Sequence, residues 1–348
     1  MLPYYYTVLR GYLCGGHVTI VVSSTHTWPG TVGLPYPFLP MTNSLLLYFA
    51  LVGTGVVASA FTLASSEHQG SDGSIIAGAG RLKLVAKQFK FTEGPAVDKA
   101  GNVYFTDQPN NKIWKYDLAG KLTVFLAQAG RSNGLYFDKK GNLISCADEN
   151  NELWSITPDG KHTVLLKDVA GHRLNGPNDL WINPKGEGLY FTDPYYQRDY
   201  WTRTTPDTGL GGQKLYYLAN YRATPVVVDD QLQKPNGIIG TPDGKHLYVA
   251  DIEANKTYRY QITADGKLTN RELFVEQGSD GMTIDNEGNV YLTGQGVTVY
   301  NTAGKQIEHI AIPEPWTGNV CFGGKDRKTL FITASEAVYI LPMRVRGA

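Results

Sequence analysis

Glu93-Gly94-Pro95-Ala96-Val97-Asp98-Lys99-Ala100-Gly101-Asn102-Val103-Tyr104-Phe105-Thr106-Asp107 sets a pattern that the rest of the chain repeats. A polar residue leads into an apolar run, a turn carrying Gly follows, and a second apolar run closes the unit. Short apolar runs bounded by such turns read as strands, and the Gly supplies the positive φ that a tight hairpin needs. The same order returns from Leu135 to Asp148, Leu180 to Asp193, Ile238 to Asp251, Met282 to Thr293 and Val320 to Thr333. The residues that open the units are Glu93, Asn133, Asn178, Asn236, Asp280 and Asn319, at spacings of 40, 45, 58, 44 and 39. Periods of this size with several strands in each read as blades of a β-propeller, whose sheets bury their faces only against their neighbours. A carboxylate or carboxamide at the head of each blade would converge on one axis, where gathered oxygens make a cation site.

Working outward from the two inner runs, most units add a third strand rich in Tyr or Trp, such as Lys112 to Asp117, Glu152 to Thr157, Lys214 to Leu218 and Lys256 to Ile262. Outer strands follow, such as Leu122 to Leu126, Thr163 to Leu166 and Arg271 to Val275. Trp114, Trp154 and Tyr216 in the third strands are expected to pack between blades. No segment after residue 80 has a helical period, so the reading is all-β. The last unit offers Val320 to Phe322, Thr329 to Thr333 and Ala337 to Leu341, one strand short of a blade. The run Arg81 to Ala86 can supply the fourth and hide the edge that an open ring would expose. The expectation is a six-bladed β-propeller over residues 81–342, closed by an N-terminal strand that joins the last blade.

The chain ahead of it is of another kind. Between Gly11 and Ser66 there is no Asp, Glu, Lys or Arg. Met41 begins a second start, with an apolar core from Leu45 to Val57 and Ala58-Ser59-Ala60 in the place of a cleavage site. Residues 41–64 therefore read as a signal peptide or a membrane anchor, and imply an exported domain, periplasmic or extracellular. Residues 1–40 read as leader translated from an upstream start, and 65–80, rich in Gly and Ser, as a linker.

Lys plus Arg and Asp plus Glu number 32 each. With no basic stripe, nucleic acid is not an expected partner. Three cysteines are too few for a disulfide scaffold; Cys146 and Cys321 fall in separate blades and read as buried thiols. No CxxC occurs and no histidine stands beside a cysteine, which leaves structural zinc and thiol catalysis without support. The serine-esterase elbow Gly-x-Ser-x-Gly is also missing.

Phe91-Thr92-Glu93-Gly94-Pro95, Arg131-Ser132-Asn133-Gly134, Leu174-Asn175-Gly176-Pro177-Asn178-Asp179-Leu180, Tyr190-Phe191-Thr192-Asp193-Pro194, Lys234-Pro235-Asn236-Gly237-Ile238 and Ser279-Asp280-Gly281-Met282 together resemble the motifs of the gluconolactonase family. This group also holds senescence marker protein and luciferin-regenerating enzyme. The resemblance runs from about Lys83 to Leu341. It implies a six-bladed propeller with a divalent cation, usually Ca²⁺, held at the floor of the pocket by Glu93, Asn178, Asn236 and Asp280. The residue types agree. Hard Ca²⁺ takes about 6–8 oxygens, and two carboxylates with two carboxamides leave places for water or substrate; Zn²⁺ or Mn²⁺ stay open as occupants. Taken singly, each Asn reads equally as an Asx turn.

The resemblance further implies that Arg131 and Asn133 contact substrate, that Asp280 is the catalytic base, and that the reaction opens a small-molecule sugar lactone. Asp179 is expected to support a ligand residue. His172, Tyr195, Asn319 and Trp316 are candidates for the pocket wall, with His172 and Asn319 as substrate contacts. A phosphotriesterase on the same ion, or a binding propeller without catalysis, are the other readings of this floor.

Overall fold

The computed structural model describes residues 74–348 apart from 79, 187 and 202–205, together with four short strands before them, Val8–Leu13, Gly16–Val21, Phe49–Val52 and Gly55–Ala58. Those four pair as two hairpins within a separate unit, Met1–Ser66. Beyond these backbones, the expected leader 1–40 and the signal or anchor 41–64 lie outside the described residues. No helix among the described residues is long and apolar enough to cross a membrane.

The second unit, Glu67–Ala348, holds six four-stranded antiparallel sheets. From the axis outward, blade I is Thr92–Val97, Val103–Asp107, Lys112–Tyr116 and Leu122–Ala127. Blades II to V open with Ser132–Phe137, Leu180–Ile182, Pro235–Gly240 and Met282–Ile284, each followed by three strands in chain order. Blade VI is Asn319–Gly323, Thr329–Ala334 and Ala337–Pro342, with Lys83–Lys87 as its outermost strand. The innermost strands adjoin in sequence and the last adjoins the first, so the ring closes.

Burial explains the strand chemistry. Second strands such as Val103–Asp107, Leu143–Ala147 and Leu189–Asp193 are buried along their whole length, because each blade has a neighbour on both faces; outer strands such as His162–Leu166 keep one side in solvent. The core is accordingly divided into apolar clusters wedged between blades. Trp154 packs with Ala96 and Leu135 between blades I and II, Tyr216 with Ile144 and Leu180 between II and III, and Trp114 with Phe105 and Phe331 where VI meets I. Each fully buried Leu, Ile or Phe contributes about 1.5–3 kcal/mol.

Three aspartates at the ends of second strands fix the loops that lead into the inner strands. Asp107 accepts from the Lys90 and Phe91 amides at 3.0 and 3.4 Å, Asp193 from Asn175 and Gly176 at 3.0 and 2.8 Å, and Asp251 from Gln233 and Lys234 at 2.8 and 2.9 Å. Ring closure is equally specific. Lys83–Lys87 pairs with Ala337–Pro342 through Val338 opposite Ala86 and Tyr339 opposite Leu84, and the Thr92 hydroxyl donates to the Ala337 carbonyl at 2.9 Å. Within the stretch expected as linker, Ile75 is buried against the last blades and Ile76 bridges Met343.

Candidate active site

The backbone is irregular where the candidate residues stand. In blades I, II and IV the register shifts between Glu93 and Ala96, Ser132 and Leu135, and Pro235 and Ile238. In blades III and V the ladder begins only after Asn178-Asp179 and Asp280-Gly281. A bulge of this kind turns a side chain out of the pleat, and here it frees the head residue of each blade to face the axis.

Two rings of residues are stacked there. The first comprises Glu93, Asn133, Asn178, Asn236 and Asp280. The second, one position further along each strand, comprises Gly94, Gly134, Asp179, Gly237 and Gly281. Glycine stands in the second ring because the next blade abuts it: a Cβ on Gly94 would lie 2.0 Å from the Asn133 carbonyl oxygen, on Gly134 2.4 Å from Asp179 Oδ1, and on Gly237 2.6 Å from the Asp280 carbonyl oxygen. Blade VI departs from the expected register. The Gly318 carbonyl accepts from Gly281 N as the Asn178 carbonyl accepts from Gly134 N, both at 2.7 Å, and Asn319 N meets the Thr333 hydroxyl as Asp179 N meets that of Thr192. Gly318 therefore belongs to the first ring and Asn319 to the second. Slipping one residue along a strand changes the face that a side chain serves. Asn319 donates to Asp179 Oδ2 at 3.3 Å and its side chain also meets the Glu93 carboxyl, so it stands between the two rings; Asp179 and Asn319 both line a cavity of about 910 Å³.

The first ring is electrostatically demanding. Asn236 donates through Nδ2 to Asp280 Oδ1 at 2.8 Å and to the Tyr196 hydroxyl at 2.9 Å, while its own Oδ1 is buried without a partner. Trp316 Nε1 donates to Asp280 Oδ2 at 2.6 Å. Glu93 is 2% exposed and accepts from the Gly94 amide at 3.0 Å. Burial, then the nearby charge of Asp280, hold the Glu93 carboxyl well above the usual carboxylate range. Burial raises Asp280 as well, against the donors from Trp316 and Asn236, and pushes Asp179 up to about 7. Among the described residues neither Glu93 nor Asp280 has a Lys or Arg in ion-pair contact. Asn178 is 7% exposed at the same level, its amide donating to the Thr192 carbonyl at 2.9 Å.

The profile of the SMP-30/Gluconolactonase/LRE-like region matches residues 91–336, which span every head residue of the ring. The chain belongs to this family. A gluconolactonase of Zymomonas mobilis is 26% identical over 291 residues, covering 74% of this chain and 80% of that protein. The pentonolactonase XacC of Haloferax volcanii is 30% identical over 141 residues, and there the match covers 38% of this chain and 48% of the relative. Among solved structures, a gluconolactonase of Xanthomonas campestris superimposes with a TM-score of 0.71 at 27% identity, covering 77% of this chain and 91% of that one.

Around this gluconolactonase-family floor stand residues of blades I and II and of a long segment of blade III. Arg131, in the left-handed region at φ 44°, lays its guanidinium over the Tyr200 ring at 5.0 Å; it donates to the Pro109 carbonyl at 2.6 Å and pairs with Glu149 at 3.3 Å. Asn133 is 8% exposed beside it. His172 is drawn elsewhere: its ring is exposed on a two-stranded ribbon, Asp168–Val169 with His172–Arg173, and meets Asp207 at 3.3 Å. Tyr195 donates to Gln197 Oε1 at 2.7 Å. The residues that sequence reasoning missed are Tyr196, Arg198 and Tyr200. Tyr196 reaches the floor through Asn236, Arg198 stacks on the Tyr196 ring at 4.9 Å, and Tyr200 donates to Gln108 of blade I at 2.9 Å. Their only signal in the sequence was the spacing of 58 between Asn178 and Asn236, longer than any other.

Proposed function

We propose that this protein hydrolyses a sugar lactone at the first ring, with a divalent cation, Ca²⁺ by preference, held by Glu93, Asn178, Asn236 and Asp280. The observation that carries the reading is the buried, unpartnered Oδ1 of Asn236 beside two carboxylates that, among the described residues, have no Lys or Arg in ion-pair contact. An oxygen acceptor left alone in a dry site costs about 1–3 kcal/mol, and crowded carboxylates need a proton or a cation. A hard cation with oxygen ligands answers both needs. When bound, it would polarise the lactone carbonyl and favour charge building on that oxygen.

The chain's own groups do the rest. Trp316 Nε1 and Asn236 Nδ2 fix the Asp280 carboxylate in one orientation, one donor to each oxygen. Each oxygen keeps a second lone pair, so Asp280 can orient a water and accept its proton as the oxygen attacks the carbonyl carbon. Asn133 would grip a ring hydroxyl beside Arg131, whose guanidinium is held by Glu149 and the Pro109 carbonyl, and the proton taken by Asp280 is available to the leaving ring oxygen when the C–O bond breaks. The lactonases among the relatives support the reaction class. Export of the domain is proposed from segment 41–64 alone.

The test is turnover of gluconolactone by chelator-treated protein with and without added Ca²⁺, beside Asp280→Ala. Activity should return only with the metal, and Asp280→Ala should lower kcat by about 10²–10⁴-fold, the usual worth of a positioned base. Turnover indifferent to both chelation and Asp280→Ala would overturn the reading.

A further inference from the structure

Among the described residues three cations lie against tyrosines of the long blade III segment, Arg131 over Tyr200 and Lys234 and Arg198 over Tyr196, and the first two are already committed to carboxylates. Arg131 is bound to Glu149 and to the Pro109 carbonyl. Lys234 pairs with Glu253 at 2.9 Å. Arg198 is different: among the described residues no carboxylate lies in ion-pair contact with its guanidinium, which rests on the face of Tyr196 at 4.9 Å. Its backbone is pinned by the Trp201 amide, which donates to the Arg198 carbonyl at 3.0 Å. The Tyr196 hydroxyl is in turn fixed on Asn236, at the floor. The guanidinium is therefore held on the one ring that reaches down to Asn236 at the floor.

We propose that Arg198 selects lactones that carry an anionic substituent, a carboxylate, sulfonate or phosphate, at the end of the molecule remote from the ring carbonyl. The inference rests on the lactonase reading above for the placement of the carbonyl at the floor. With the carbonyl beside Asp280, the far end of a six-carbon lactone lies about a tyrosine ring's length higher, at the level of Arg198. Stacking on Tyr196 leaves the edge of the guanidinium free, and that planar fork of N–H donors matches two oxygens of one anion. Holding the arginine against an aromatic ring also limits the rotamer freedom that binding would remove.

The experiment compares kcat/KM for neutral gluconolactone with that for glucarolactone and 6-phosphogluconolactone, in the wild-type protein and in Arg198→Gln and Arg198→Lys. Glucose, glucuronate and glucose 6-phosphate, which have no lactone to open, are titrated calorimetrically against the same proteins. The wild type should favour the anionic member of each series by about tenfold or more, the worth of a charge-assisted contact. Arg198→Gln should bring that ratio near unity, and Arg198→Lys should restore part of it. The relative response to carboxylate and phosphate identifies which anion the site takes. Equal handling of neutral and anionic compounds by the wild type would overturn the proposal, as would a preference that survives in Arg198→Gln. Failure to open any lactone, with anion-selective binding that Arg198→Gln abolishes, would sink the lactonase reading and leave the anion site standing.

Discussion

Asn236 shows how much one amide can reveal. Its Nδ2 has two acceptors and its Oδ1 none, an imbalance that a cation corrects and that a carboxylate would sharpen. Ca²⁺ at 100 times its Kd would stabilise the folded domain by about 2.7 kcal/mol, or about 5–10 °C in Tm for a domain of this size. Asn236→Asp should melt lower than wild type in chelator and gain more on Ca²⁺ addition, because a third carboxylate adds repulsion to the empty floor and attraction to the filled one. Differential scanning calorimetry in chelator and in Ca²⁺ reads both effects; identical shifts in the two proteins would remove Asn236 from the cation site. Glu93, Asn236 and Asp280 were legible in the sequence because head residue, Gly and strand recur in register. Asn319 stands one residue out of that register. Gly318-Asn319 presents its polar side chain one step late, and only the hydrogen bonds to Thr333 reveal the slip. Tyr196 and Arg198 left only the long spacing between Asn178 and Asn236 as a sign, since they sit in a segment with no counterpart in another blade against which to align them.

The strands were the most readable elements, because a sheet covered on both faces must be apolar along its length. Lys214–Leu218 and Lys256–Ile262 fall where the sequence placed them. The ribbon at Asp168–Arg173 was hidden, since two-residue strands carry no periodicity. The aspartate clamps deserve a direct test. Asp251 also accepts from the Ala254 amide at 3.3 Å, so Asp251→Ala takes the acceptor from three part-buried amides. At about 0.5–1.5 kcal/mol for each hydrogen bond lost, denaturant unfolding should show a loss of at least ~1 kcal/mol. A loss below ~0.5 kcal/mol would mean the loop ahead of Asn236 holds itself. Burial also silences the thiols. Cys146 is fully buried and its pKa raised well above the ordinary value, and burial pushes Cys321 up to about 12. With Cys14 replaced by Ser, the native protein should resist a thiolate-selective reagent at pH 8, and both cysteines should react once denaturant is added.

At the scale of the whole molecule, the ring depends on a strand borrowed from the other end of the chain. A protein beginning at Gln88 loses Lys83–Lys87 and the contacts of Ile75, leaving Ala337–Pro342 as a bare edge. It should melt about 10 °C or more below the protein beginning at Glu67, and size-exclusion chromatography should find it self-associated; equal melting and a monomer would show that three strands suffice. The same pairing also has a history. The Thr92 hydroxyl and the Ala337 carbonyl that it meets are 245 residues apart, and contacts this remote form late. As the chain leaves the ribosome, Lys83–Lys87 appears first and waits for a partner made last. Each blade joins an open arc as it is made, and the arc stays open until Ala337–Pro342 appears, so the floor that Glu93 shares with Asp280 is assembled only after translation of blade VI is complete.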